Sequence, residues 1–422
     1  MYIHAFLTFI TCFSLVASRA FLSEDQHVLG DGDTRSSTRF RSSISILSHS
    51  RGTNSTAHNG FVALGDSYSA GIGTGVDGRE DDCRRGLHAH SRLIASDLSA
   101  SQGGPNTTAF QFLSCTGART QDVLSGGDSS QIDSFDASLP ADFALLSIGG
   151  NDLGFFDVIN ACVFRFYNFY SGTCEAALEN SRVQIEGDGF ETRLQIIIME
   201  LLDKVCWEEK PWFFITVTGY VRFFNEVTDG CDEMSLGVWW NGPKLTKALR
   251  LNMNALVLAV NAKIRKTIGN VNSRFTRDKV LFVDYDKAFD GHRFCEENVT
   301  EPDYSRSDTW FFLVGGQDNA RNTTLPNQDA DTETLSPSSV LVDPTSCYDN
   351  ARSSGDWGEL ALCYMAMAKQ RDPNLQFARS NIIAPNSMWY VPTYYGKTFH
   401  ARSMGHEMIR DKIYEAWHKL DE

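Results

Sequence analysis

The sequence predicts an α/β protein, a three-layer α/β/α sandwich around a mainly parallel central sheet with loop insertions. Two observations predict it. Short apolar runs read as buried strands: "FVAL" at 61–64, "FALLSI" at 143–148, "WFFITVTGY" at 212–220 and "VLFVDY" at 280–285. Segments with helical apolar spacing fall between and after them, and strands alternating with helices imply a parallel sheet. The 422 residues are 42% hydrophobic, enough for one large core or two modest ones.

Taken in order, the first twenty residues, "MYIHAFLTFITCFSLVASRA", predict a secretory signal. Their apolar stretch, Ala5 to Val16, is short for a bilayer span, and Ser18 and Ala20 sit three and one places before a cleavage point. The segment lacks the usual Lys or Arg before that stretch. Residues 21–59 are rich in Ser, Arg, Asp and Gly and read as a polar, flexible leader. The folded domain is expected over 60–422. Within it, "SRLIASDLSA" predicts a short amphipathic helix, and 244–269 a longer one ending at Gly269. "SMGHEMIRDKIYEAWHKL" predicts a terminal helix. The aromatic stretch "FFDVINACVFRFYNFYSGTC" and a polar segment near 300–358 interrupt the alternation, and the latter is expected to decorate the domain as an insertion.

Cysteines and charge narrow the setting. If Cys12 leaves with the signal, nine cysteines remain, and in a secreted chain most are paired. Spacing suggests Cys83–Cys115 and Cys162–Cys174. It leaves Cys206, Cys231, Cys295, Cys347 and Cys363 unassigned, with one thiol left over. Sequons at Asn54, Asn106, Asn298 and Asn322 are glycosylation candidates that fit a secreted surface. A net charge of −15 disfavours nucleic acid and anionic membranes as partners. No later segment is long and apolar enough for a membrane anchor, and the charged tail "EAWHKLDE" does not fit a lipid-anchor signal. The expectation is a secreted, extracellular monomer.

Ligands of parallel α/β sheets gather beyond the carboxyl ends of the strands. Polar, glycine-bearing turns stand there. "GDSYS" offers Ser67, although Ser69 occupies the place of the second glycine in the GxSxG nucleophile elbow. "LSCTGARTQDV" offers Gly117, whose missing side chain allows a backbone N–H to approach a substrate. "SIGGNDLGF" offers Asn151, whose amide can donate to a developing oxyanion. "GKTFHARSMGHEMI" offers His400, a base for a serine nucleophile. Each alone is most simply a turn residue or one of ten histidines.

Their order carries more. "GDSYS", "CTGART", "GGND" and "FHARSMGH" together resemble the SGNH (GDSL-type) hydrolase superfamily, whose four blocks supply Ser, Gly, Asn and His in that sequence. "FVDYDKAFDGHRFCEE" is similar to the secreted esterase/lipase branch, with its GH-x-x-C turn. The resemblance implies a flavodoxin-like sandwich, Ser67 as nucleophile and His400 as general base and acid. It also implies an oxyanion hole from the N–H groups of Ser67 and Gly117 and the side chain of Asn151. The reaction implied is hydrolysis of a small-molecule or lipid ester through an acyl-enzyme, with no cofactor or metal.

One block departs from the family. The acid expected three residues before the histidine is Lys397, and Ala401 replaces the following proline. Either an acid from elsewhere or a backbone carbonyl near Lys397 must orient His400, leaving a Ser–His dyad as the expectation. Asp152, Asp284, Asp286 and Asp290 read as turn or capping residues, and "DYDKAFDGH" does not follow the EF-hand pattern. Phospholipase and carbohydrate acetyl-esterase activities remain alternatives on one scaffold. So does a catalytically silent glycan- or protein-binding module.

Overall fold

The structure, a computed structural model, describes residues 60–76, 80–101, 107–164, 173–236, 243–320, 347, 363 and 393–420. The signal, the leader and the sequons at Asn54, Asn106 and Asn322 lie outside these residues, whereas Asn298 is exposed.

Five strands form one sheet: β1 (Gly60–Gly65), β2 (Ala109–Phe112), β3 (Phe143–Ser147), β4 (Phe214–Thr218) and β5 (Val280–Val283). All neighbours are parallel, in the order β2-β1-β3-β4-β5. This is the flavodoxin-like order, with its switch point between β1 and β3. Every residue of β1 and β3 is buried, which explains why both read as unbroken apolar runs. β2, "AFQF", escapes that pattern because it lies at the sheet edge and is only half-buried throughout.

An aromatic row crosses four strands. The Phe61 ring stacks on Phe110 at 4.6 Å and on Phe143 at 4.7 Å, and Phe143 stacks on Phe214 at 5.9 Å. The register Phe61↔Phe110 and Phe143↔Phe214 puts these side chains on one face. The terminal helix covers that face: Trp417 meets Phe143 and Phe214 edge-on, and its Nε1–H donates to Thr216 Oγ1 at 2.8 Å.

The helices are α1 (Ser67–Ala70), α2 (His90–Ser101), α3 (Thr120–Val123), α4 (Gln131–Ser134) and α5 (Phe155–Ile159), the last running into a π-helical turn at Asn160–Phe164. They continue with α6 (Cys174–Glu186), α7 (Asp188–Lys204), α8 (Lys247–Asn272), α9 (Thr393–Gly396) and α10 (Ser403–His418). α2 packs on α10, while α6, α7 and α8 pack on one another. α8 starts at Thr246, whose side chain accepts from Leu249 N–H, and buries Met253, Leu256, Val257, Val260, Ile264 and Ile268 at helical spacing. It does not stop at Gly269 as the sequence suggests. Three residues further on, Asn272 donates to Val280 O at 2.8 Å and accepts Val280 N–H at 3.0 Å, so contact with β5 extends the helix.

Both expected disulfides are present, Cys83–Cys115 and Cys162–Cys174, joined by Cys231–Cys295 and Cys347–Cys363. Cys206 is also disulfide-bonded in the full chain, and no described cysteine is free. The expectation of a leftover thiol concerns a chain that has lost Cys12, whereas this structure is of the full chain. Part of the stretch read as a polar insertion is core: Trp310 to Val314 are buried, and Phe311 and Phe312 bridge to Ala401 and Thr398. No helix among the described residues is long and apolar enough to cross a membrane.

Because Trp417 seals the aromatic row, Trp417→Ala should cost about 3–5 kcal/mol of stability. Trp417→Phe, which keeps a ring and loses the bond to Thr216, should cost about 1 kcal/mol. Chemical denaturation of the two variants checks the order.

Candidate active site

The carboxyl end of β1 turns sharply. Gly65 has φ +131°, and a Cβ there would lie 1.9 Å from Ser147 O, so only glycine lets β1 pass this close to β3. The side chain of buried Gln131 clamps that residue, donating to Gly65 O at 2.9 Å and accepting its N–H at 2.7 Å. Asp66 then caps α1, its Oδ1 accepting Tyr68 N–H at 3.0 Å. Ser67 is the first residue of α1, with its side chain at the strand tip. Ser69, which breaks the elbow pattern, has a separate structural role. Its hydroxyl pairs with Ser114 Oγ at 2.7 Å, tying the turn to the loop after β2.

His400 arrives from the far end of the chain. Its Nε2 lies 2.6 Å from Ser67 Oγ, the geometry of a nucleophile and its base. Three contacts aim it. Phe399 has left-handed φ of 66°, a conformation costing a non-glycine residue on the order of 1–3 kcal/mol. The Phe399 ring is fully buried against Phe223, Phe224 and Phe294, and its carbonyl accepts Tyr68 Oη–H at 2.7 Å. Phe312 N–H donates to His400 O at 3.0 Å, and Phe399 N–H to Phe312 O at 3.0 Å. No carboxylate among the described residues bonds the imidazole. Its Nδ1 sits 3.2 Å from Thr398 O, the carbonyl that fixes the tautomer with Nε2 facing the serine. His400 is half-buried, and its desolvation among aromatic side chains lowers its pKa to about 4, against the pull of the carbonyls of Thr398 and Lys397.

Asn151 follows β3 by four residues. Its Nδ2 donates to Ala118 O at 2.9 Å, leaving its second N–H available. Gly117 precedes Ala118 and takes φ +85°. The N–H groups of Ser67 and Gly117 are hydrogen-bonded to nothing among the described residues. Asp152 ties the two loops together, its carboxylate accepting Thr120 N–H at 2.8 Å and Thr120 Oγ1–H at 2.5 Å. Arg193 backs this junction through Thr120 Oγ1 at 2.6 Å. Burial raises the Asp152 pKa against these bonds.

Ser67, Asn151 and His400 line one cleft, partly open to solvent. Gly117 is not among its lining residues; the next residue, Ala118, accepts the Asn151 amide. The remaining wall is largely aromatic and aliphatic: Phe155, Phe156, Ile159, Phe164, Phe223 and Tyr395. Much of it comes from the stretch after β3 that the sequence marks as Phe-rich. Among the described residues no cluster of His, Cys, Asp or Glu fits a metal ion. Asp286 is occupied by Arg222 and Arg293, and Asp284 by Arg265.

Sequence reasoning missed Tyr220, Gln131 and the polar face of α8. Arg250, Asn254 and Asn261 are buried at spacings of four and seven residues and hold the backbone of 220–228. Polar residues at core positions of a helix were the available signal.

Burial disfavours the imidazolium, so an NMR titration of the imidazole should show His400 protonating at about 4 rather than at the ordinary 6.5. A midpoint near 6.5 would mean that the cleft hydrates the ring.

The chain matches the profile of the GDSL-like Lipase/Acylhydrolase family over residues 63–304, more than half its length. It is 31% identical to Lipase 1 of Streptomyces coelicolor over 226 residues, 52% of this chain and 72% of that protein. It is 29% identical to a lipase of Streptomyces rimosus over 236 residues, 56% of this chain and 73% of that one. The crystal structure of phospholipase A1 from Streptomyces albidoflavus is 27% identical, covering 61% of this chain and 88% of its own, with a TM-score of 0.44. With the profile match spanning the Ser67 turn and both loops beside it, the chain belongs to the GDSL-like lipase/acylhydrolase family of ester hydrolases.

Proposed function

We propose that the protein is a secreted lipase or esterase in which Ser67 attacks a carboxylic ester and His400 serves as general base and acid. The observation that carries this reading is the 2.6 Å contact between Ser67 Oγ and His400 Nε2 inside an aromatic cleft. His400 Nε2 accepts the Ser67 proton as Oγ bonds to the carbonyl carbon. The negative charge then on the carbonyl oxygen is met by the N–H groups of Ser67 and Gly117 and the free N–H of Asn151. His400 returns the proton to the leaving alcohol, and the acyl group stays on Ser67. Water, deprotonated by the same nitrogen, releases the acid. Base, nucleophile and donors all come from the chain, so the reaction calls for no metal or cofactor.

The cleft wall of Phe155, Phe156, Ile159 and Phe164 suits a hydrocarbon acyl group, as in lipid or aryl esters. The disulfides Cys83–Cys115, Cys162–Cys174, Cys231–Cys295 and Cys347–Cys363 suit an oxidising, extracellular setting. The protein is proposed to act as a monomer with no stable membrane anchor.

A fluorophosphonate probe should label the wild type and leave Ser67→Ala unlabelled; no labelling of the wild type would favour the silent binding module. Asn151→Ala should lower kcat on the order of 10²- to 10³-fold while remaining folded. Across p-nitrophenyl esters of rising length, phospholipids and acetylated glycans, activity should favour acyl chains longer than acetyl. A preference for acetyl esters would remove the aromatic cleft as the acyl site. Since only the neutral imidazole accepts a proton, kcat/KM should persist below pH 6.5 and fall as pH drops through about 4.

A further inference from the structure

We infer that Tyr220 is a positioning residue for this chemistry, its hydroxyl joining the nucleophile turn to the Asn151 loop. The inference rests on the reading of Ser67 and His400 above. Tyr220 lies two residues past β4 and is 1% exposed. Its Oη donates to Asp66 Oδ2 at 2.6 Å and accepts the Gly150 N–H at 2.9 Å. Asp66 directly precedes the nucleophile, and Gly150 directly precedes the oxyanion amide. One atom thus connects the residues before Ser67 and Asn151 across the ends of β1, β3 and β4.

The chemistry explains why this group is a tyrosine. A buried carboxylate oxygen needs a donor and a buried N–H needs an acceptor, and a hydroxyl supplies both from one position. Phenylalanine would fill the same space and lose both of these bonds. Asp66 has no cationic partner among the described residues. Burial pushes its carboxyl up to about 7, and hydrogen bonding from Tyr220, Tyr68 N–H and Gly150 N–H opposes that rise. Tyr220 remains a donor because burial holds its own hydroxyl protonated well above the usual range.

The ring is held from two further sides. Tyr68 packs against it at 5.2 Å and Phe155 at 6.1 Å, both edge-on. Asn261, buried on α8, accepts Tyr220 N–H and donates to Tyr220 O, each at 2.8 Å. A helix packed outside the cleft therefore sets the height of the hydroxyl that spaces the two reactive loops.

The test compares full-length Tyr220→Phe and Asp66→Asn with Trp417→Phe, a control that loses a buried hydrogen bond away from the cleft. Tyr220→Phe should lower kcat on the order of 10- to 100-fold, with KM changed less than about threefold, because misplaced groups weaken the transition state more than binding. Trp417→Phe should lose a similar few degrees of Tm with kcat unchanged. The double variant Tyr220→Phe/Asp66→Asn should lose little more than the worse single one, since both break the same bond. An unchanged kcat in Tyr220→Phe would overturn the proposal, as would full additivity or an equal loss in Trp417→Phe. If Tyr220→Phe fails to fold, Asp66→Asn with its kcat and KM decides. Fluorophosphonate labelling separates the two levels: an unlabelled wild type removes the Ser67 reading and the proposal with it. A labelled wild type, an unlabelled Ser67→Ala and a normal Tyr220→Phe remove the proposal alone.

Discussion

The contact between Ser67 and His400 joins residues 333 positions apart, and much of the architecture serves to hold it. Ser67 is rigid because it stands on a parallel strand buried on both faces and turned by a glycine against β3. His400 has no such strand beneath it. It is fixed from the sides, by the Phe399 ring among other aromatic rings, by Phe312 through two backbone hydrogen bonds and by Tyr68 through the Phe399 carbonyl. Tyr68 follows the nucleophile directly, so the turn that presents the serine also helps aim the histidine.

This division of labour accounts for the missing acid. A third group in a hydrolytic triad orients the imidazole and steadies its charge. Here Thr398 O supplies the orientation, and the left-handed backbone at Phe399 lets that carbonyl reach back to Nδ1. A carbonyl brings no full negative charge, which agrees with the low pKa of His400. Local backbone strain at a reactive residue persists where packing over-determines it, and the rings around Phe399 provide that packing.

The strand tips that carry the reactive groups are also cross-braced. Ser69 reaches Ser114, Asp152 reaches Thr120, Asn151 reaches Ala118 and Tyr220 reaches both Asp66 and Gly150. These bonds run between loops following different strands and fix their spacing. The Cys83–Cys115 disulfide adds a covalent tie two residues before Gly117.

Much of this was legible in the chain. β1, β3, β4 and β5 announced themselves as apolar runs because a parallel sheet buries both faces, and of the four residues singled out by the order of their blocks, Ser67, Asn151 and His400 line one cleft. Local spacing also suggested Cys83–Cys115 and Cys162–Cys174, though not Cys347–Cys363, whose cysteines are only 16 residues apart. The edge strand β2, the far end of α8 and the buried stretch at Trp310–Val314 were not legible, since burial there comes from partners distant in sequence. A backbone carbonyl near Lys397 was one of two groups the sequence offered to orient His400; a carbonyl belongs to every residue, so the choice of Thr398 O came only with the fold and the φ of Phe399. The sequence alone determined which side chains are available for the chemistry, because residue type and strand periodicity are local properties. Tertiary structure decided which of them meet, and how Tyr220 and Asn261 come to space them, because hydrogen bonds across strand ends depend on distances no local pattern encodes.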